Sequence, residues 1–118
     1  MTTCLTVFVS SRMLEFKSER EALSEWLPLQ GYDLVTIKPW IFEKDAPAQP
    51  NPIQYVYLSE LDQADLYIGL FGSGYGEWTV DEFRRAVSKG ITRLIFIKAM
   101  PPDTSRDPEL EKFLKEIS

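Results

Sequence analysis

Short, nearly continuous apolar runs alternate along this chain with segments whose apolar residues recur at helical spacing. Cys4 to Ser10 (CLTVFVS) is rich in β-branched and aromatic residues, the pattern of a strand buried on both faces. After it, Phe16, Ala22, Leu23, Trp26 and Leu27 fall on one helical face, which Pro28 and Gly31 bring to an end. Tyr32 to Ile37 reads as a second strand. It leads into the stretch from Lys38 to Pro52, whose prolines 39, 47, 50 and 52 predict an irregular loop, least anchored from Glu43 to Pro52. Ile53, Tyr57, Leu58 and Leu61 predict a helix, and Asp65 to Phe71 a third strand. Phe83, Ala86, Val87 and Gly90 give the inward face of the next helix, and Thr92 to Ala99 a fourth strand. Leu110, Phe113, Leu114 and Ile117 close the chain at helical spacing. The order βαβαβαβα calls for an α/β fold with a mostly parallel sheet and helices on both faces. Cys4 to Ser10, Asp65 to Phe71 and Arg93 to Ala99 are its expected most-buried strands.

A length of 118 residues with 44% hydrophobic content suits one domain spanning 1–118. The last helix ends without a cap and no strand follows, which reads as the N-terminal part of a longer protein. The formal charge of −5, with no stripe of Lys and Arg, argues against direct nucleic-acid binding. A single cysteine, Cys4, excludes an intrachain disulfide, suits a reducing compartment and reads as a small core residue. The N-terminus lacks the basic start and apolar region of a signal peptide. No stretch approaches the ~20 apolar residues of a membrane span, so no membrane partner is expected and the chain reads as cytoplasmic. It contains no histidine, which excludes Ser-His-Asp triads, Cys-His pairs and His-based zinc sites within this chain.

In an open parallel sheet, ligands bind beyond the carboxyl ends of the strands. Two loops fall there: Ser10-Ser11-Arg12 after the first strand, and Gly72-Ser73-Gly74-Tyr75-Gly76 after the third. Glycines let backbone amides approach a phosphate or ribose, but the same composition fits a mobile turn, and neither a Walker loop nor G-x-G-x-x-G is present. Ser10 and Ser11 equally fit a strand end and helix cap. Thr79 and Glu82 fit a capping box, while a Glu82 facing the glycine loop would serve as nucleophile or general base. A flavin carrier ranks last, because only two serines precede Arg12.

The stretches VFVSSRMLEFKSEREAL, ADLYIGLFGSGYG and EFRRAVSKGITRLIFIK together resemble a bacterial and archaeal family of unknown function that begins V-F-V-S-S. Its members often precede NACHT-type or helical-repeat NTPase modules or Schlafen-like AlbA modules. The family is similar to TIR domains and nucleoside 2-deoxyribosyltransferases, which implies a three-layer, flavodoxin-like fold. In SGYGEWTVDEF, Trp78 and Glu82 stand where TIR domains carry a tryptophan and, four residues on, a glutamate that is catalytic in NAD-cleaving members. Glu82 and Ala86 also match the spacing around the transferase nucleophile. Thr79 replaces the TIR cysteine, and Val80 a second glutamate. The resemblance implies a signalling or defence module acting through self-association, partner domains of a longer chain, or nucleotide sensing. It alternatively implies an NAD or nucleoside N-glycosidic cleaving enzyme. No cofactor is fixed; NAD, a nucleoside or a nucleotide is the implied ligand. Ser10, Ser11 and Arg12 would close one side of the site, the Gly72–Gly76 amides would hold diphosphate or ribose, and Tyr75 or Trp78 would stack on a base. Trp40 and Phe42 offer a docking surface.

Overall fold

The computed structural model describes residues 3–32, 35–41 and 53–117. Strands β1 (Thr3–Ser10), β2 (Val35–Trp40), β3 (Leu66–Phe71) and β4 (Thr92–Ile97) form one all-parallel sheet in the order β2-β1-β3-β4. Helices α1 (Lys17–Trp26), α2 (Ile53–Asp62), α3 (Glu77–Ser88) and α4 (Pro108–Ile117) complete it, and a short 3-10 turn, Leu27–Gln30, extends α1. The period of two along each strand divides the apolar side chains between two layers. Val7, Val9, Ile68 and Leu70 face Phe16, Leu23 and Leu27 at α1, whereas Phe8 and Tyr67 face Leu61 of α2 and Phe83 and Ala86 of α3. Helix α4 extends the second layer, with Leu110, Phe113 and Leu114 packed on Phe71 and Val80. The result is the expected three-layer, flavodoxin-like arrangement.

Several expectations change at the level of residues. Strand β2 runs to Trp40, because Lys38, Pro39 and Trp40 pair with Thr6, Val7 and Phe8. Pro39 fits there because β2 is an edge strand, where a missing N–H interrupts no ladder on the open side. Trp40 is consequently no docking residue: it is buried and stacks on Phe8 with ring centroids 5.1 Å apart. Phe42 and the stretch from Glu43 to Pro52 lie outside the described residues. Cys4 is exposed, not a core residue, because β1 is covered only from Val7 onward.

Strand β4 is mostly exposed rather than among the most buried. It is the other edge of the sheet, and α1 does not cover Leu94 and Phe96, just as Trp26 at its end stays half exposed. Val87 points outward, and Gly90 terminates α3 with φ 68° instead of packing inward. That left-handed conformation is open to glycine at little cost, and it lets the Ile91 amide reach back to the Ala86 carbonyl at 3.0 Å.

Candidate functional site

The carboxyl ends of β1 and β3 bring the β1–α1 turn beside the start of α3. Helix α3 begins at Glu77 with Gly76 as its N-cap and no side-chain cap. Thr79 and Glu82 therefore lie inside the helix and form no capping box. Glu82 is on the inward stripe with Thr79, Phe83 and Ala86, which turns its carboxylate toward the sheet. There the Ser10 hydroxyl donates to Glu82 Oε1 at 2.7 Å, across 72 residues of sequence. Ser10 is 1% exposed and Glu82 8% exposed. Burial pushes the Glu82 carboxyl up to about 7, opposed by the Ser10 hydrogen bond and by the charge of Arg20, while Asp81 adds to the rise.

Arg20 is the second buried charge, at 3% exposure, and its Nη1 donates to Ser11 Oγ at 2.9 Å. Near Ser10, the Tyr67 hydroxyl is buried, and burial, with the Glu82 charge adding to it, raises its pKa far above the ordinary phenol value against the lowering effect of Ser10. A cavity of about 430 Å³ opens over Glu82, with Ser11, Arg12, Arg20, Trp40, Gly76 and Trp78 in its walls. A carboxyl poised near neutrality in such a cleft can exchange a proton or face an electron-poor carbon at physiological pH.

The glycine loop divides. Gly76 lines the cleft, but Tyr75 turns away and packs with Phe71, Val80 and α4, so it is not placed to stack on a ligand in the cleft. Gly72, Ser73 and Gly74 do not line the cleft either. The amides of Ser73 and Gly74 instead bond the Glu15 carboxylate. Nor is the loop a loose turn: Arg106 Nε donates to the Gly72 carbonyl at 2.8 Å, and the Asp107 amide to the Ser73 carbonyl at 2.7 Å. Arg12 bridges the two regions, lining the cleft while its guanidinium pairs with Glu15 at 3.1 Å.

Sequence reasoning missed Arg20 and Glu15. Arg20 had a readable signal, since Phe16, Arg20, Leu23 and Leu27 stand at i, i+4, i+7 and i+11, so a cation occupies an otherwise apolar stripe. Glu15 had only its i, i+3 spacing from Arg12, because its partners Ser73 and Gly74 lie 58 and 59 residues away. Among the described residues, no three His, Cys, Asp or Glu side chains gather as a metal site, and no helix is long and apolar enough to cross a membrane.

Residues 6–117 match the family described as "Domain of unknown function (DUF4062)". No curated protein matches the chain. Among solved structures it is similar to a 2-desoxiribosyltransferase from Leishmania mexicana, with 16% identity, 83% of this chain and 67% of that chain covered, and a TM-score of 0.58. At that identity the likeness is one of fold, and it agrees with the three-layer parallel architecture.

Proposed function

We propose that this chain, which belongs to the DUF4062 family, is a TIR-like signalling or defence-associated module that senses a nucleotide-type ligand in the cleft around Glu82. In this reading it is the N-terminal domain of a longer protein, acts in the cytoplasm, and passes the bound state on through self-association or partner domains. One observation carries the reading: a buried, protonatable carboxylate held by Ser10 opens into a cavity walled by an indole, Trp78, and a guanidinium, Arg12. An aromatic face suits a base, and Arg12 suits an anionic group. Calorimetric titration of the full chain with NAD, ADP-ribose and nucleosides tests it. Binding that weakens in Trp78→Ala and in Glu82→Gln supports the reading. No binding by any of these at millimolar concentration removes it.

A second reading is favoured by the Glu82–Ser10 pair and by the fold likeness to a desoxiribosyltransferase. In it, Glu82 acts on an N-glycosidic bond of NAD or a nucleoside. The carboxylate attacks the anomeric carbon as the C–N bond breaks; the electron pair neutralises the pyridinium nitrogen of NAD, or leaves with a nucleoside's base, which takes up a proton. Water or a second base then takes the sugar from the glycosyl ester and frees Glu82. The Ser10 hydrogen bond would hold the carboxylate in line. Product analysis after incubation with NAD and with nucleosides separates the readings. Turnover that disappears in Glu82→Gln makes the domain an enzyme, and equal turnover by both proteins excludes Glu82 from the reaction.

A further inference from the structure

Beside the cleft lies a place built for an anion. Just after β3, two successive amides and one hydroxyl converge on a single carboxylate. Ser73 N and Ser73 Oγ each donate to Glu15 Oε2 at 2.6 Å, and Gly74 N donates to Glu15 Oε1 at 3.3 Å. Consecutive backbone donors arranged this way bind phosphate oxygens as well as carboxylate oxygens. These bonds and the Arg12 charge hold the Glu15 carboxyl below the usual range against the opposing effect of burial. The seat is kept in shape from behind by Arg106 and by the Asp107 amide, on the Gly72 and Ser73 carbonyls, so it does not depend on Glu15. A Cβ on Gly72 would collide with the Glu15 carboxylate, so glycine is what lets an oxyanion come this close.

Glu15 is held at its carboxylate by Ser73, Gly74 and Arg12. It belongs to the turn between β1 and α1, the same turn that carries Arg12. Arg12 is the wall between seat and cleft: it lines the cavity, its guanidinium lies against Gly74, and its Nη1 pairs with Glu15. A phosphate carries more charge than a carboxylate and offers a third acceptor oxygen. It therefore competes for the same donors and, unlike Glu15, can also take both arms of the Arg12 fork.

We propose that the Ser73–Gly74 seat receives the phosphate of a nucleoside 5′-phosphate whose sugar and base lie in the Glu82 cleft, and that Glu15 is a built-in competitor this phosphate displaces. The nucleoside half of the ligand rests on the function proposed above; the anion seat does not. As the phosphate enters, Glu15 swings outward, and Arg12 exchanges a carboxylate partner for the phosphate. The turn that carries both residues moves with them, so occupancy of the seat is written into the position of the β1–α1 turn.

The test uses the full chain with three probes: inorganic phosphate, adenosine 5′-monophosphate and adenosine. Binding is followed by calorimetry and by the backbone amide resonances. Glu15→Gln, which keeps the shape and removes the competing charge, is expected to tighten adenosine 5′-monophosphate about tenfold and leave adenosine unchanged. Inorganic phosphate should shift the Ser73 and Gly74 amides in that variant more than in the parent chain. Glu15→Asp, whose carboxylate falls a methylene short of the seat, should show a gain in the same direction and serves if Glu15→Gln folds poorly. Adding Ser73→Ala should take back much of the gain. Shifts at Ser73 and Gly74 from phosphate, with neither adenosine compound bound, uphold the seat and remove the nucleoside reading. Adenosine binding with no gain for the monophosphate in either Glu15 variant, and no phosphate shifts at Ser73 and Gly74, overturns the seat and leaves the cleft.

Discussion

At Glu82, burial disfavours the charge while Ser10 and Arg20 favour it, and burial wins, leaving a pKa near 7 against an ordinary 4.5. The sign of the consequence follows by linkage. Between those two values the unfolded chain has released a proton that the folded chain still holds, so this group's contribution to stability falls as pH rises through that window and is flat outside it. Glu15 and Asp62, whose pKa values are lowered, act in the opposite sense in acid. Comparison with Glu82→Gln isolates the one group. Urea unfolding at pH 5 and pH 8 should show wild type losing stability relative to the variant on the order of 2 kcal/mol as pH is raised. Parallel pH curves for the two proteins would mean that Glu82 titrates normally and that the Ser10 contact does not confine it. Little of this residue's setting was legible beforehand. Spacing left Glu82 open between a capping box and a residue facing the glycine loop, and the partner that decides its chemistry, Ser10, is joined to it only by the closing of the sheet.

Individual elements show where a sequence pattern suffices. Strand β3 is apolar throughout and lies between β1 and β4, so its burial was readable from its own residues. Strand β4 carries the apolar run LIFI, yet is largely exposed, because burial there depends on being an edge and on how far α1 reaches. Neither fact is local to TRLIFI. The prolines misled at β2 for the same reason, since an edge position tolerates what a central strand does not. The contrast gives a pair of mutations. Phe113 on α4 packs against Phe71 and Phe83 with ring centroids 5.4 Å from each, and Phe113→Ala should cost roughly 3–5 kcal/mol. Phe96 on β4 is 55% exposed, and Phe96→Ala should cost about 1 kcal/mol or less. Denaturant midpoints with unchanged slopes measure both. Similar losses for the two would mean that the β4 face is covered in solution.

For the molecule as a whole, alternation of strands and helices was enough to give a parallel three-layer fold, but strand order and the meeting of distant loops were not. With β1 and β3 adjacent at the middle of the sheet, Ser11 and Arg12 line one side of a cleft and Gly76, Trp78, Thr79 and Glu82 the other. A ligand there touches residues contributed by β1, the turn after it, and α3. Binding to the folded chain alone stabilises it by about 2.7 kcal/mol when the ligand is at one hundred times its dissociation constant. The distribution of that stabilisation is the more telling quantity. Under the proposed reading, hydrogen exchange with saturating nucleotide should slow the amides from Ser10 to Phe16 and those from Gly76 to Glu82 together, because a ligand in the cleft would bridge the two strand ends. The exposed β4 edge should exchange as before wherever it opens locally, and slow only where exchange requires global unfolding. Slowing confined to one side of the cleft would mean that the ligand rests on a single loop, and the idea of a shared site between β1 and α3 would fail.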